Sequence, residues 1–245
     1  MKISAVIFDW GGTLTPWHPV DLQAQWRNTF AHHLFGDDDV KADEFADALL
    51  AAEAWCWSTS AREHRSMRMS QVLQRAAETT GVDLALVDTE PAQAAYREFW
   101  EPFTFTDAQV RPLWTWLRGQ GIKVGVLSNT MWSRDYHRNI FERDGVLDLI
   151  DGDIYSSEIE FVKPAAGAFQ AAAQAVEADP RECVYVGDRL YEDIYGPQQI
   201  GMRTIHIPHS DIPAEQRVEV DAQPHAVAHE LVQIAGIIRG WQGEP

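Results

Sequence analysis

The chain has 245 residues, 45% of them hydrophobic, enough to fill one large α/β domain or a core domain carrying a smaller insert, and no stretch reads as disordered. Its 20 basic against 37 acidic side chains give a net charge of −17, which disfavours nucleic acid and anionic membrane surfaces as partners. The two cysteines, Cys56 and Cys183, lie far apart without ligand-like spacing, so neither a disulfide framework nor a zinc site is expected.

Residues 1–4 lead straight into an apolar run without a leader-like segment, and nowhere do about eighteen apolar residues follow one another, so a soluble cytoplasmic protein is expected. Residues 3–8 read as a buried strand. From about residue 20 to 103 no strand is expected, and apolar spacing predicts helices over 41–57, 70–80 and 91–100. Beyond them come a helix over 112–119, a strand over 124–127 and a helix over 164–178 with Pro164 at its first position. A strand over 184–186, a helix over 191–200 and a strand over 204–207 follow. In the tail, Val227, Leu231, Ile234 and Ile238 recur at helical spacing within 225–241 and predict a helix packed on the core. Alternating β and α implies an α/β fold, a doubly wound, Rossmann-like parallel sheet with an all-helical insert. The expected domains are a core of residues 1–17 with 104–245 and a helical insert of residues 18–103.

In such a sheet the ligand crevice lies beyond the carboxyl ends of the strands at a topological switch point. Three predicted strands deliver Asp9 (in "FDWGGTL"), Ser128 (in "GVLSNT") and Asp188 (in "VYVGDRLYED") there, and Lys163 of "EFVKPAAGAF" joins them. Four short motifs in this order, "FDWGGTL", "LSNT", "VKP" and "GDRLYEDIYGPQQIGM", resemble the haloacid dehalogenase-like hydrolases, in particular phosphatases with a helical cap inserted after the first motif.

The resemblance implies a small phosphorylated substrate and Mg²⁺ as cofactor. It makes Asp9 the nucleophile that becomes an aspartyl phosphate, Ser128 a hydrogen-bond donor to the phosphoryl group and Lys163 the cation that offsets charge between them. Mg²⁺ would be held by Asp9, the Gly11 carbonyl, Asp188 and, directly or through water, Asp193, with Glu192 an alternative for that last role. The physical reason is repulsion: a carboxylate attacks an anionic ester only where a hard cation and an ammonium lower the charge. Donors around the equatorial oxygens, Ser128 with Asn129 and the backbone near Trp10 and Gly12, then stabilise the transferred group.

Plainer readings exist for each residue. Asp9 and Asp188 suit turn caps, Ser128, Asn129 or Thr130 a helix cap, and Lys163 a solvated surface. His32 with His33 and His206 with His209 read as surface or packing residues, and Asp37, Asp38 and Asp39 as a loop complementing a helix start.

Gly11 departs from the phosphatase pattern, which places there a second aspartate that protonates the leaving oxygen and then activates water. Glycine does neither, so a slow enzyme is expected, with good leaving groups such as acyl phosphates affected least; acid-base assistance is worth roughly 10²- to 10⁴-fold. His18, Glu53 and Glu63 are candidate substitutes, and Trp26, Trp55, Trp57 and Trp100 are expected in the insert's own core. Three rivals remain: a dehalogenase, a phosphonatase using Lys41 as Schiff-base nucleophile, and a metal-binding sensor without turnover. Natural substrate and oligomeric state are not legible.

Overall fold

The computed structural model describes residues 2–208 and 217–243. Packing divides the chain into two units, Met1–Trp17 with Phe105–Pro245, and His18–Thr104.

The first unit opens with β1 (Ala5–Phe8), every residue of which is buried. Alternate side chains serve opposite faces of the sheet: Val6 and Phe8 enter one apolar cluster, Ala5 and Ile7 the other. An unbroken apolar run thus marks a strand covered on both sides.

The second unit is helical. After α1 (Leu22–Gln25) comes a π-helical stretch, Trp26–Ala31, then α2 (His32–Phe35), the long α3 (Asp39–Glu63), α4 (Met69–Thr80) and α5 (Glu90–Trp100). Asp38 caps α3, accepting the Lys41 amide at 3.3 Å, so the acidic run serves as the helix start its sequence suggests. Trp26, fully buried, meets Phe30 and Tyr96 at 5.8 and 4.6 Å between ring centres. Trp55 and Trp57 do not join this core; they are 42% and 39% exposed, with the Arg75 guanidinium 3.9 Å above the Trp55 ring.

The first unit resumes with α6 (Val110–Gly119), β2 (Lys123–Ser128), α7 (Arg134–Arg143), β3 (Gly152–Tyr155), α8 (Ala166–Ala175), β4 (Cys183–Gly187), a π-helical turn (Leu190–Tyr195), α9 (Gly196–Gln198), β5 (Arg203–His206), β6 (Ala226–Val227) and α10 (Gln233–Gln242). All strand pairs are parallel, in the order β3-β2-β1-β4-β5-β6. On one face Trp114 and Leu117 of α6, Phe141 of α7 and Ile234 and Ile238 of α10 cover the sheet; on the other stand Phe169, Ala172 and Ala173 of α8. Truncating a buried aromatic such as Trp114 would cost about 3–5 kcal/mol.

Several sequence expectations need correction. Pro164 does not begin a helix; α8 starts at Ala166, and the preceding Ala165 gives it no side-chain cap. The expected helix over 191–200 is a π-helical turn followed by a three-residue α-helix. Val227 belongs to the edge strand β6 and is half exposed, so the terminal helix is shorter than its spacing suggested. β3, β6 and α7 were not foreseen.

Candidate active site

β1 lies between β2 and β4, where the chain's progress across the sheet reverses, so the loops leaving β1 and β4 part at their carboxyl ends. Phe8 stands in register with Val186, and the Asp9 amide donates to the Val186 carbonyl at 2.9 Å, which places Asp9 just beyond one strand and Asp188 just beyond its neighbour. Asp193 arrives from the π-helical turn and packs over Gly187. A Cβ at position 187 would come within 2.3 Å of the Asp193 carboxyl carbon, so only glycine admits this approach. Carboxylate oxygens of Asp9, Asp188 and Asp193 lie within 4.8 Å of one another, and all three residues are buried.

Lys163 completes the cluster. Its Nζ lies 2.7 Å from Asp9 Oδ1 and 2.7 Å from Asp193 Oδ1, with the side chain 2% exposed, so it is no surface lysine. Asp193 Oδ2 accepts the Arg189 amide at 2.9 Å. Burial pushes the Asp9 carboxyl up, while Lys163 pulls it down. Burial also works against the Lys163 ammonium, but Asp193 and Asp9 more than reverse this and hold it protonated well above the ordinary lysine range. The Tyr185 hydroxyl, donating to the Leu127 carbonyl at 3.0 Å, is likewise held protonated by burial.

Three carboxylates against one ammonium leave two negative charges in this pocket. An all-oxygen, hard donor set with that surplus fits a divalent cation such as Mg²⁺. Among the described residues, this is the group of three or more side chains arranged to hold a metal. Gly11 would join through its backbone carbonyl alone.

The turn after Asp9 is tightly built. The Trp10 carbonyl accepts the amides of Thr13, Leu14 and Thr15 at 3.3, 2.8 and 3.1 Å, and the Trp10 backbone N–H helps pull the Asp9 carboxyl down. Gly12 adopts φ 83°, a left-handed conformation suited to glycine, and its amide donates to the Thr15 carbonyl at 2.8 Å. That amide, expected to face phosphate, is therefore engaged inside the turn. Gly11 differs: its φ lies outside the left-handed region, and a Cβ there would meet no atom within 4 Å. Nothing in the backbone demands glycine at this position.

Ser128 ends β2, buried and in register with Tyr155. The Asn129 side chain binds the Lys163 backbone. Its Oδ1 accepts the Lys163 amide at 2.8 Å and its Nδ2 donates to the Lys163 carbonyl at 3.0 Å, a two-way clamp that fixes the lysine's backbone. Sequence reasoning missed three further neighbours. Thr13 Oγ1 donates to Asp188 Oδ1 at 3.4 Å, His206 Nε2 lies 3.0 Å from the Asp188 carbonyl, and the buried His137 packs on Trp10. His206 is the last residue of β5, in register with Gly187 just before Asp188, a placement the strand expected over 204–207 does not single out; its companion His209 lies outside the described residues.

In the helical unit, His18 is exposed beside Phe103, at 5.4 Å between rings, and Glu63 is exposed and paired with Arg62 at 2.9 Å. Glu53 accepts the Trp26 indole N–H at 2.8 Å, and burial pushes its carboxyl up against bonds from Trp26 and Trp57. Lys41 is exposed and paired with Asp38 at 2.7 Å, which keeps its ammonium protonated, opposite to what a Schiff-base lysine needs. His32 lies 3.8 Å from Asp39.

The sequence pattern that defines the haloacid dehalogenase-like hydrolases matches residues 3–201. This chain belongs to that family. A glyceraldehyde 3-phosphate phosphatase of Methanopyrus kandleri is 35% identical over 91 residues, 37% of this chain and 38% of that protein, so the chain aligns with less than half of that relative's length. Among solved structures, a 2-haloacid dehalogenase from Pseudomonas syringae pv. Tomato DC3000 superposes with TM-score 0.66 at 22% identity, covering 98% of this chain and 99% of that one. A HAD phosphatase from Thermococcus onnurineus does so with TM-score 0.60 at 20% identity, over 97% and 99%. These two show the fold. As a haloacid dehalogenase-like hydrolase the chain is an enzyme, and among the described residues no helix is long and apolar enough to cross a membrane.

Proposed function

We propose that this hydrolase is a Mg²⁺-dependent, cytoplasmic phosphatase of a small phosphorylated metabolite, acting through an aspartyl phosphate on Asp9. The observation that carries the reading is the Lys163 ammonium bridging Asp9 and Asp193, with Asp188 beside them and two negative charges left over. A dehalogenating aspartate attacks carbon and needs no such cation site, so the carboxylates of Asp188 and Asp193 favour phosphorus chemistry. Relatives named as glyceraldehyde 3-phosphate phosphatases support a small phosphorylated substrate.

Asp9, Asp188, Asp193 and the Gly11 carbonyl would hold the Mg²⁺, whose contribution is to neutralise phosphoryl oxygens so that an anionic nucleophile can approach. Asp9 attacks phosphorus, the phosphorus–oxygen bond to the leaving group breaks, and the electron pair departs on that oxygen. Lys163 holds the Asp9 carboxylate in place and screens it from the incoming charge, while Ser128 donates to an equatorial oxygen. Water then attacks phosphorus, the bond to Asp9 breaks, and orthophosphate leaves. Because Gly11 has no side chain, the leaving oxygen takes its proton from another source, and turnover is slow for poor leaving groups.

The test is hydrolysis of p-nitrophenyl phosphate and acetyl phosphate with Mg²⁺ and after chelation. The reading expects Mg²⁺-dependent turnover, faster for acetyl phosphate, with a fold that survives chelation. Absence of turnover of both compounds while Mg²⁺ still binds would replace it with a sensor. Metal-free release of chloride from 2-chloropropionate would replace it with a dehalogenase.

A further inference from the structure

We propose that His137 is a positioning residue whose imidazole fastens the loop leaving β2 to the residue that follows Asp9, fixing together the two strand-end loops that frame the site. His137 lies in α7, fully buried. Its ring stacks on Tyr155 with centres 4.4 Å apart and planes 6° from parallel, and meets Trp10 at 4.5 Å and 83°. Its Nε2 lies 3.1 Å from Thr130 Oγ1. One ring therefore touches both loops.

Each contact falls on a residue close along the chain to one of the site's groups. Trp10 directly follows Asp9 in the chain, and its carbonyl ties the turn that carries Gly11. Thr130 stands two residues beyond Ser128. Its hydroxyl oxygen accepts the Trp132 amide at 3.0 Å, its own amide donates to Ser156 Oγ at 2.9 Å, and that serine hydroxyl donates back to the Thr130 carbonyl at 2.9 Å. Moving His137 releases the β2 loop on one side and Trp10 on the other.

Packing alone does not account for a histidine here. Phenylalanine would stack on Tyr155 and Trp10 equally well, whereas the imidazole brings a buried Nδ1 that has no hydrogen-bond partner, an unfavourable feature that calls for a reason. The bond from Nε2 to Thr130 supplies it. Burial holds the ring neutral, its pKa lowered to about 3, which suits a fixed hydrogen-bonding strut and not a proton carrier.

The proposal rests on the phosphatase reading for the ligand that the loops receive, so its test uses two readouts. His137→Phe keeps the stack and loses the bond; His137→Gln can restore a nitrogen near Thr130. Measured in Mg²⁺, kcat and KM for p-nitrophenyl phosphate and the affinity for inorganic phosphate by calorimetry should all change in His137→Phe. The expected losses are about 10-fold in kcat and a comparable weakening of phosphate, since small misplacements of reacting groups cost at least this much. His137→Gln should recover most of both. Wild-type values in folded His137→Phe, or equal impairment in Phe and Gln, would overturn the proposal. If His137→Phe does not fold, Thr130→Val removes the same bond from the other side, and wild-type kinetics and phosphate affinity there would overturn it. A wild-type enzyme that binds phosphate yet turns over neither ester would sink the phosphatase reading alone, with phosphate affinity then deciding the role of His137. A wild type that does not bind phosphate would overturn both.

Discussion

Two buried carboxylate clusters sit on the same sheet with opposite balances of charge. Asp153, in β3, has a side chain 1% exposed and is clamped by Arg134 at 2.5 Å and Arg138 at 3.1 Å, both half exposed to water. There two cations serve one anion, and solvent screens the surplus. At the ends of β1 and β4 one deeply buried ammonium serves three carboxylates, and the surplus is negative and enclosed. The first arrangement is finished as it stands and joins a helix to a strand. On the proposed reading the second is finished only when a cation and an electrophile arrive, the charge balance expected of a reacting site.

The contrast breaks most sharply at Asp9. Asp9→Asn keeps the shape of the site, and turnover of acetyl phosphate should fall by roughly 10⁴-fold or more in steady-state assays, as expected for loss of a nucleophile. Arg138→Ala, at the other cluster, should leave turnover unchanged.

Stability should separate the clusters next. Lys163→Met strands Asp9 and Asp193 beside each other in the interior, and denaturant unfolding should show a loss of about 3–5 kcal/mol together with loss of turnover. Arg138→Ala leaves Arg134 on Asp153 and removes a half-exposed partner, so the same measurement should show about 1 kcal/mol or less. Similar losses in the two variants would erase the distinction.

Gly11→Asp sharpens the comparison by adding an acid where the backbone tolerates one. The space around its Cβ is open, so the variant should fold like the wild type and hydrolyse p-nitrophenyl phosphate about 10-fold faster or more. Unchanged or lower kcat in the folded variant would contradict the missing-acid account. Gly187→Ala should do the opposite, since its Cβ meets the Asp193 carboxyl.

The last test concerns pH and leaves activity near neutrality untouched. The pKa of His137 is lowered from 6.5 to about 3 in the folded chain, because burial excludes its charged form. The unfolded chain then binds the proton first, so this contribution to stability is complete above pH 6.5 and is lost as pH falls from 6.5 toward 3. Urea unfolding should show the wild type losing about 1.4 kcal/mol per pH unit from this group below that point. His137→Phe should lack that component of the slope.

Asp9, Asp188 and Lys163 were legible because each follows a short apolar strand or directly precedes a proline, a placement that survives without knowledge of the rest of the chain. What those residues touch was not legible. The sequence of Asn129 suggests a phosphate ligand, yet its partner is the Lys163 backbone 34 positions away. β3 escaped notice because Gly152 and Asp153 are poor strand formers, and Asp153 is tolerated only through Arg134 and Arg138 on a helix so polar that its periodicity was obscured. Val227 misled in the opposite direction: an edge-strand valine happened to fall on the helical spacing of Leu231, Ile234 and Ile238. Gly11 was legible as a missing carboxylate, whereas only coordinates reveal that the space for one is open.

The central claim, that the surplus charge around Asp9 serves a covalent step at phosphorus, is tested most directly by acid-quenching the enzyme during turnover of radiolabelled acetyl phosphate in Mg²⁺ and mapping the label. The account predicts an acid-stable, hydroxylamine-sensitive phosphoryl group on the peptide containing Asp9, absent from Asp9→Asn and from chelated enzyme. Sustained turnover by Asp9→Asn, or label on a different residue of the wild type, would contradict it.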